Sequence, residues 1–426
     1  MTINVDAQLS EALCGGSGHE RKPSLTFEDA VAKAVAAALP LITSEAVPLA
    51  QSFGRVIAQD VFARECLPRF DHAAMDGFAV RTEDFIGNGP WNLRDLGTIA
   101  AGDLPFSGVP STGTAIQIFT GAPVPAEFDA VVMRERCVSL GGSQILLSSK
   151  PRVGENIRRR GEDIARGTRV AQKGAVMTAH QGAAFAGLGM SVISVRPRIR
   201  IAFLTTGSEL RRPGEPLHDG QIYDSNSVMA AGMLAQPWIE YTDLGRIPDD
   251  LNTTIDAVDR ASHDYDVLIS SGGMSFGAAD QMRTALEAVG AKLDVLNVAM
   301  RPGKPATFGR VGRALFIGLP GNPMAAAVAL RQIALAAIKR TAGFAVLENR
   351  KVAAVSGFEY TKREGRTEFV PVRVVGHDRY GRPQLDVLGR GSSGSLLPLA
   401  QASGLVKLDA NLSYISAGDS INFEPF

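Results

Sequence analysis

Residues 314–323 read Ala-Leu-Phe-Ile-Gly-Leu-Pro-Gly-Asn-Pro, and residues 325–341 continue as an alanine-rich apolar run. An apolar run of strand length, a Gly/Pro turn, and a proline placed for a first helical turn describe a buried β-strand handing over to an α-helix. Asn322 stands at the N-cap position of that helix. Upstream, residues 199–204 and 267–270 are apolar runs of the same kind, suited to parallel strands covered on both faces. Helical faces lie between the strands: Val228, Met229, Gly232 and Met233; Leu251, Ile255 and Val258; Met282, Leu286 and Val289, with Gly290 placed to end the last. From residue 198 to about 345 the alternation predicts a doubly wound, three-layer α/β/α domain.

The flanking sequence changes character. Residues 1–23 are polar and aperiodic and read as a mobile tail. Thr26 and Asp29 have N-cap spacing ahead of a helical face formed by Phe27, Ala30, Val31, Ala34 and Ala38, which Pro40 stops. A second helix start falls at Thr178, with Gln181 three residues on. Between these helices, residues 70–158 are rich in Gly, Pro and short β-type runs such as 115–119 and 130–133, the pattern of a β-rich insertion. Residues 24–69 and 159–197 are therefore expected to form one discontinuous helical and linker domain. Beyond residue 346 helix signals fade, and runs at 351–355, 368–375, 384–387, 404–408 and 420–423 predict a small, barrel-like C-terminal β domain.

Composition narrows the function classes. The 426 residues carry 44 basic and 44 acidic side chains, so no overall field attracts nucleic acid or an acidic membrane. Cys14, Cys66 and Cys137 form no C-x-x-C pair and no disulfide framework, which fits a reducing compartment. No apolar run approaches a membrane span, and the N-terminus lacks a basic-then-apolar export signal, so the expected location is the cytoplasm.

In an open parallel sheet, ligands sit beyond the carboxyl ends of the strands. Those ends here are Thr205-Thr206-Gly207-Ser208-Glu209, then Ser270-Ser271-Gly272-Gly273-Met274-Ser275-Phe276-Gly277 followed by Asp280, and Gly318-Leu319-Pro320-Gly321-Asn322-Pro323. Glycines let backbone N–H groups approach an anion, and the helix that follows adds a favourable dipole. One such loop is an ordinary βα turn; three on one edge, with hydroxyls and carboxylates interleaved, describe a binding site. Arg301-Pro302-Gly303-Lys304-Pro305 is a short basic loop suited to gripping an oxyanion, and its spacing is not that of a Walker A loop.

Together the Pro-Gly-Asn-Pro turn, the Ser-Gly-Gly-x-Ser-x-Gly-x-x-Asp loop and the Thr-Gly-x-Glu loop resemble the molybdopterin molybdenumtransferase family, which includes the E domains of gephyrin-type proteins. Residues 70–79, Phe-Asp-His-Ala-Ala-Met-Asp-Gly-Phe-Ala, are similar to its Asp-x-x-Ala-Met-Asp-Gly segment. Thr120-Gly121-Ala122 resembles its Thr-Gly turn, and residues 158–163, Arg-Arg-Arg-Gly-Glu-Asp, its basic-Gly-Glu-Asp run. His72-Ala73 stands where the family commonly has Asn-Ser, and Phe276 where a small aliphatic residue is usual.

The resemblance implies an elongated four-domain homodimer that attaches molybdate to adenylylated molybdopterin, with release of AMP and help from Mg²⁺. It assigns Asp76, Thr120, Asp163, Glu209, Asp250 and Asp280 to catalysis. Asp249, Asp250, Asp280 and Glu209 become candidate metal ligands, since carboxylates with water suit Mg²⁺. Thr206, Gly207, Ser208, Gly272, Gly273, Ser275, Arg301, Lys304, Pro320, Gly321, Asn322 and Pro323 become candidate substrate contacts. Asp76 and Thr120 would be presented by the dimer mate, and a molybdopterin adenylyltransferase is an expected partner. For several residues a plainer role stands beside this one: Asp249 and Asp250 as helix caps, residues 158–160 as a solvated basic loop, and Asp76 in an Asx turn.

Three other readings compete. Residues 273–277 fit the G-x-S-x-G nucleophile elbow of α/β hydrolases, with Ser275, Asp294 and His377 in triad order. The paired glycines Gly272 and Gly273 lengthen what should be a sharp turn, and His377 falls in the β tail. Residues 389–394 fit G-x-G-x-x-G, but only a short β-rich tail follows, so a loop facing the α/β cleft is expected instead. A non-catalytic scaffold of gephyrin type is the third; such proteins usually carry an additional adenylyltransferase domain and a long linker.

Overall fold

The structure is a computed structural model that describes residues 24–272, 281–389 and 392–426. Two compact units divide it, one made of residues 44–195 and the other of the residues on either side.

Helix α1 (Phe27–Ala37) is capped by Thr26, whose Oγ1 accepts from the Asp29 N–H at 3.1 Å. Ala30 and Ala34 are fully buried. The flanks of the helix are tied to the second unit: Leu25 N–H donates to Asn297 O, Leu41 N–H donates to Thr341 O, and Phe27 packs edge-on against Phe369. This differs from the sequence expectation for residues 24–69, because the chain divides at Ser44 instead. The helix's small-residue face is complementary to a long apolar helix, and periodicity alone does not name that partner.

Within residues 44–195, one core gathers Ile57, Val61, Ala171, Met177, Phe185, Ile193 and Val195, drawn from both sides of segment 70–158. The segment itself is a six-stranded sheet. Its strands are β1 (Gly77–Val80), β2 (Trp91–Ile99), β3 (Thr114–Ile118), β4 (Ala130–Met133), β5 (Cys137–Gly141) and β6 (Gln144–Leu147), in the order β4-β1-β3-β2-β6-β5. Side-chain alternation feeds two cores: Ala79 and Ile116 enter one, Phe78, Val80 and Ala115 the other. Helix α2 (Ala179–Gly187) follows, opened by a Thr178–Gln181 capping box.

The second unit begins with β7 (Ile199–Thr206), α3 (Ser225–Met233), β8 (Ile239–Ile247), α4 (Leu251–Asp264), β9 (Val267–Ser271) and α5 (Gln281–Ala288). It continues with β10 (Lys292–Asn297), β11 (Pro305–Val311) and β12 (Ala314–Leu319). Strand order is β8-β7-β9-β12-β11-β10, the first four parallel and the last two antiparallel additions. Helices α4 and α5 pack together and cover one face through Val258, Ala261, Met282 and Leu286 against Leu204, Leu268 and Phe316. Gly290, at φ 76°, ends α5 in the left-handed conformation expected of it.

Helix α3 follows the expected face only in part, with Met229 and Met233 half-buried. Val228 is 60% exposed, while Asn226, Ser227, Ala230 and Leu234 are buried. Asn226 turns inwards to donate to Ser271 Oγ and to Gly321 O, at the ends of β9 and β12.

From Pro323 one continuous apolar helix runs as α6 (Pro323–Ala329), a π-helical turn at Leu330–Ala334, and α7 (Leu335–Thr341). It is hydrophobic nearly all round and correspondingly buried. The C-terminal barrel closes through β13 (Val352–Ser356), β14 (Thr367–His377), β15 (Pro383–Val387), β16 (Gly404–Leu408) and β17 (Ser420–Pro425). Strand β14 pairs with both β15 and β16 and so completes the ring. Buried Gln332, in the π turn, donates to Glu424 of β17 at 2.8 Å. No helix among the described residues is long and apolar enough to cross a membrane.

Gly77 tests the packing of the first unit. A Cβ built there would lie 1.9 Å from Val132 O of the neighbouring strand. Gly77→Ala is expected to destabilise the protein by ~1–3 kcal/mol, as overpacking does. Chemical denaturation showing no loss would mean that the β1–β4 pairing is looser than described.

Candidate functional site

Strands β8 and β9 lie on opposite sides of β7, although the chain visits them in succession, so the sheet reverses direction at β7. A crevice opens at such a switch point, beyond the carboxyl ends of the strands. Thr206 ends β7 and Ser271 ends β9. Gly272, at φ +85°, follows, and a Cβ there would lie 2.7 Å from Thr206 O and 3.3 Å from Thr206 Oγ1. Only glycine lets these strand ends approach so closely. Thr206 Oγ1 is buried and has no hydrogen-bond partner among the described residues. Gly207, at φ +136°, sits beneath the Glu209 carboxylate, both of whose oxygens lie within 2.7 Å of where a Cβ would be. Ser208 is exposed, and its carbonyl accepts from Arg211 at 3.0 Å. Gly273, Ser275 and Asp280 lie outside the described residues.

The third loop closes this edge. Asn226, near the start of α3, donates from Nδ2 to Ser271 Oγ and to Gly321 O, each at 2.8 Å. Asn322 occupies the N-cap position with Pro323 in the first turn, but makes no side-chain cap. Its Nδ2 instead donates to Ser393 Oγ at 3.1 Å, and Ser393 O accepts from Met324 N–H. The loop after Gly389 thus reaches the α/β domain. Beside it lies a shallow cleft whose lining includes Arg301, Pro302, Met324, Tyr360, Glu368 and Ser392. Glu368 is buried with Arg301 at 3.7 Å and accepts from the Tyr360 hydroxyl at 3.1 Å. Burial, with this carboxylate beside it, pushes the Tyr360 pKa up. A Cβ on Gly303 would lie 3.5 Å from Ala325 O, so the basic loop rests on α6. Lys304 at its end is exposed.

Among the carboxylates, Asp250 caps α4, accepting from both the Thr253 hydroxyl and its N–H, and these bonds hold its pKa below the usual carboxylate range. Asp249 O accepts from Gln281 Nε2 at 3.1 Å, which brings the start of α5 beside it. Among the described residues no three His, Cys, Asp or Glu side chains gather into a metal site. Glu209, Asp249 and Asp250 are among those residues; the fourth expected metal ligand, Asp280, lies outside them. Ser275 does too, and Asp294 and His377 share neither a hydrogen bond nor an ion pair, so nothing described supports a hydrolase triad.

The unit made of residues 44–195 holds a separate cluster. Asp76 Oδ1 accepts from Thr120 N–H at 2.8 Å and from Thr120 Oγ1 at 2.7 Å, which lowers the Asp76 pKa. Nearby in sequence, Asp71 accepts from the Arg159 guanidinium at 2.6 Å and from Arg160 N–H at 2.8 Å. Burial raises the Asp71 pKa, but these bonds outweigh it and leave the group lowered. Glu162 likewise takes Arg159 N–H and the Arg158 guanidinium. Residues 158–160 are thus held in a defined turn. Asp163 is exposed, and its N–H donates to Leu67 O.

Sequence reasoning assigned no role to Asn226, Asp71, Glu368, Tyr360 or Ser393. Asp71 had a usable signal, standing five residues before Asp76 in the segment 70–79 that carries the resemblance. Asn226 had none, because it lies off the helix face read as buried.

A model of the MoeA N-terminal region (domain I and II) matches residues 25–189. A probable molybdopterin binding domain matches residues 202–340, and the MoeA C-terminal region (domain IV) matches 353–426. A molybdopterin molybdenumtransferase of Haemophilus influenzae is 32% identical over 91% of this chain and 95% of its own length. Molybdopterin molybdenumtransferase 2 of Mycobacterium tuberculosis is 33% identical over 88% and 93%. A crystal structure of a molybdopterin biosynthesis MoeA protein from Pyrococcus horikoshii superposes with a TM-score of 0.80 at 26% identity, over 95% of this chain and 99% of that one.

Thr120 provides both hydrogen bonds to Asp76. A carboxylate held low in this way gains from those bonds above its ordinary pKa, and loses the gain as pH falls through the lowered value. Thr120→Val removes one bond and is expected to raise the Asp76 pKa towards the ordinary Asp value. Carboxyl-carbon NMR titration checks this; an unmoved midpoint would show that the hydroxyl contributes nothing.

Proposed function

The chain belongs to the molybdopterin molybdenumtransferase family, and on that footing we propose that it attaches molybdate to adenylylated molybdopterin and releases AMP, in molybdenum cofactor biosynthesis. The observation that carries the reading is that three parallel strands end side by side at Thr206, Ser271 and Leu319, at the switch point of the α/β domain, with a basic loop resting on the helix after the third. The chemistry requires anchors for phosphate and oxyanion, groups for the organic ends of the substrate, and exclusion of competing water.

In this reading Arg301 and Lys304 hold the anionic groups. Arg301 is held beside Glu368, at 3.7 Å, whereas the exposed Lys304 ammonium is a solvated point charge. Glycines 207, 272 and 321 bring the backbone close to the ligand, and Pro320 and Pro323 stiffen the wall. Thr206, Ser208, Gly273, Ser275 and Asn322 complete the substrate contacts, and Asp163 and Asp280 are proposed as further catalytic carboxylates.

Mg²⁺ is part of the proposal. Such an ion keeps several waters and commonly takes one or two carboxylates together with substrate phosphates. The exposed Glu209 carboxylate, folded over Gly207 at the strand end, suits that demand, and Asp249, Asp250 or Asp280 would supply the second. Bound there, the ion would neutralise charge developing on the phosphoanhydride.

The proposed assembly is a homodimer in which Asp76 and Thr120 of one copy serve the cleft of the other. A cytoplasmic location and a molybdopterin adenylyltransferase as supplier of the substrate complete the proposal.

The pure protein given adenylylated molybdopterin, molybdate and Mg²⁺ is expected to release AMP; no release would overturn the reading. Lys304→Ala should lower kcat/KM about tenfold, near 1.4 kcal/mol, and flatten its dependence on salt. Unchanged kinetics at every ionic strength would remove Lys304 from the site.

A further inference from the structure

Asn226 is the polar side chain for which the proposed reaction has not yet accounted. It is 8% exposed, and its Nδ2 spans two strand ends by donating to Ser271 Oγ and Gly321 O, each at 2.8 Å. The orientation of the amide follows from chemistry: a backbone carbonyl only accepts, so the group facing Gly321 O is the NH₂. Oδ1 is therefore the remaining end, and it is buried with no hydrogen-bond partner among the described residues. Thr206 Oγ1 is orphaned in the same way, on the strand end that Gly272 brings within contact distance of β9.

A buried polar atom without a partner costs free energy that an apolar residue of similar size would not. Two such atoms, one at the end of β7 and one on α3 against the end of β9, mark a place built for a ligand. The free Asn226 atom accepts hydrogen bonds and cannot donate them. Phosphate and molybdate oxygens are acceptors too and find no complement there. An amino group or ring N–H does.

We propose that Asn226 is a specificity-determining residue: Nδ2 fixes the strand ends, and Oδ1 accepts a hydrogen bond from the N–H edge of an amino-substituted heterocycle in the substrate. Thr206 Oγ1 is the second polar contact to the same ring. The inference rests on the reading of the substrate as adenylylated molybdopterin, which carries two such rings, an adenine and a pterin. Their shared chemistry is an exocyclic amine beside a ring nitrogen.

Calorimetric titration of the full-length protein distinguishes the two rings. The ligands are AMP and N6,N6-dimethyl-AMP, then 6-hydroxymethylpterin and its 2-dimethylamino derivative. In one pair, dimethylation is expected to weaken binding to the parent protein about tenfold. Asn226→Ala should weaken the unmethylated ligand by a similar factor and no longer distinguish the two members of the pair. The pair that responds identifies the ring. Ser271→Ala, which removes one strand-end tie and leaves Oδ1 in place, should keep the discrimination. If Asn226→Ala fails to fold, Asn226→Ser takes its place in the same cycle.

Equal binding of both members in both pairs by the parent protein would overturn the inference, as would undiminished discrimination in Asn226→Ala. Loss of discrimination in Ser271→Ala matching that in the Asn226 variant would also overturn it, because the residue would then act only through the tie. A parent protein that binds neither AMP nor the pterin would instead count against the proposed function itself.

Discussion

The close approach of two parallel strand ends, allowed by the missing side chain at Gly272, is the constraint around which the α/β domain is arranged. Beyond the ends of β9 and β12 the chain is tied by side chains from other elements: Asn226 reaches from α3 to Ser271 Oγ and Gly321 O, and Asn322 reaches across to Ser393 of the barrel. The inward position of Asn226 serves this tie. The helix that starts at Pro323 has no side-chain cap, and its Met324 N–H donates instead to Ser393 O.

Polarity is handled differently in the unit of residues 44–195. There the acidic residues are matched across segments distant in the chain, Asp76 with Thr120, and Asp71 with the 159–160 segment. These groups are largely exposed, so each pair contributes little to stability. Their value is geometric. A carboxylate that accepts from a backbone N–H and a hydroxyl of one residue keeps one orientation, and its second oxygen stays free.

Much of this was legible in the sequence because strong local signals agreed with one another. The strand at 314–319 and its proline-started helix, the Thr178–Gln181 box, the strand at 130–133 and the left-handed Gly290 all depend on neighbours close in the chain. What escaped depends on distant partners. The docking of α1 rests on Asn297, Thr341 and Phe369, and no pattern within residues 24–43 names them. The face of α3 was misread in part for a related reason: hydrophobic periodicity assumes that the buried side is apolar, and at a strand-end crevice it need not be. Glu368 and Tyr360 belong to the cleft only because the barrel sets them beside Arg301.

The two-piece construction of the second unit has a consequence in time. Helix α1 lies near the start of the chain, yet it packs on α7, close to residue 341. At a ribosome adding about 5–20 residues per second, its buried face waits roughly 15–60 s for that partner to emerge. Throughout the interval the first unit can fold, since every strand of its sheet and all of its cores lie within residues 44–195. Ala30 and Ala34 make the waiting face a weakly adhesive one, less prone to aggregate than a leucine-rich stripe. A helix obliged to dock last is better served by small side chains than by large ones.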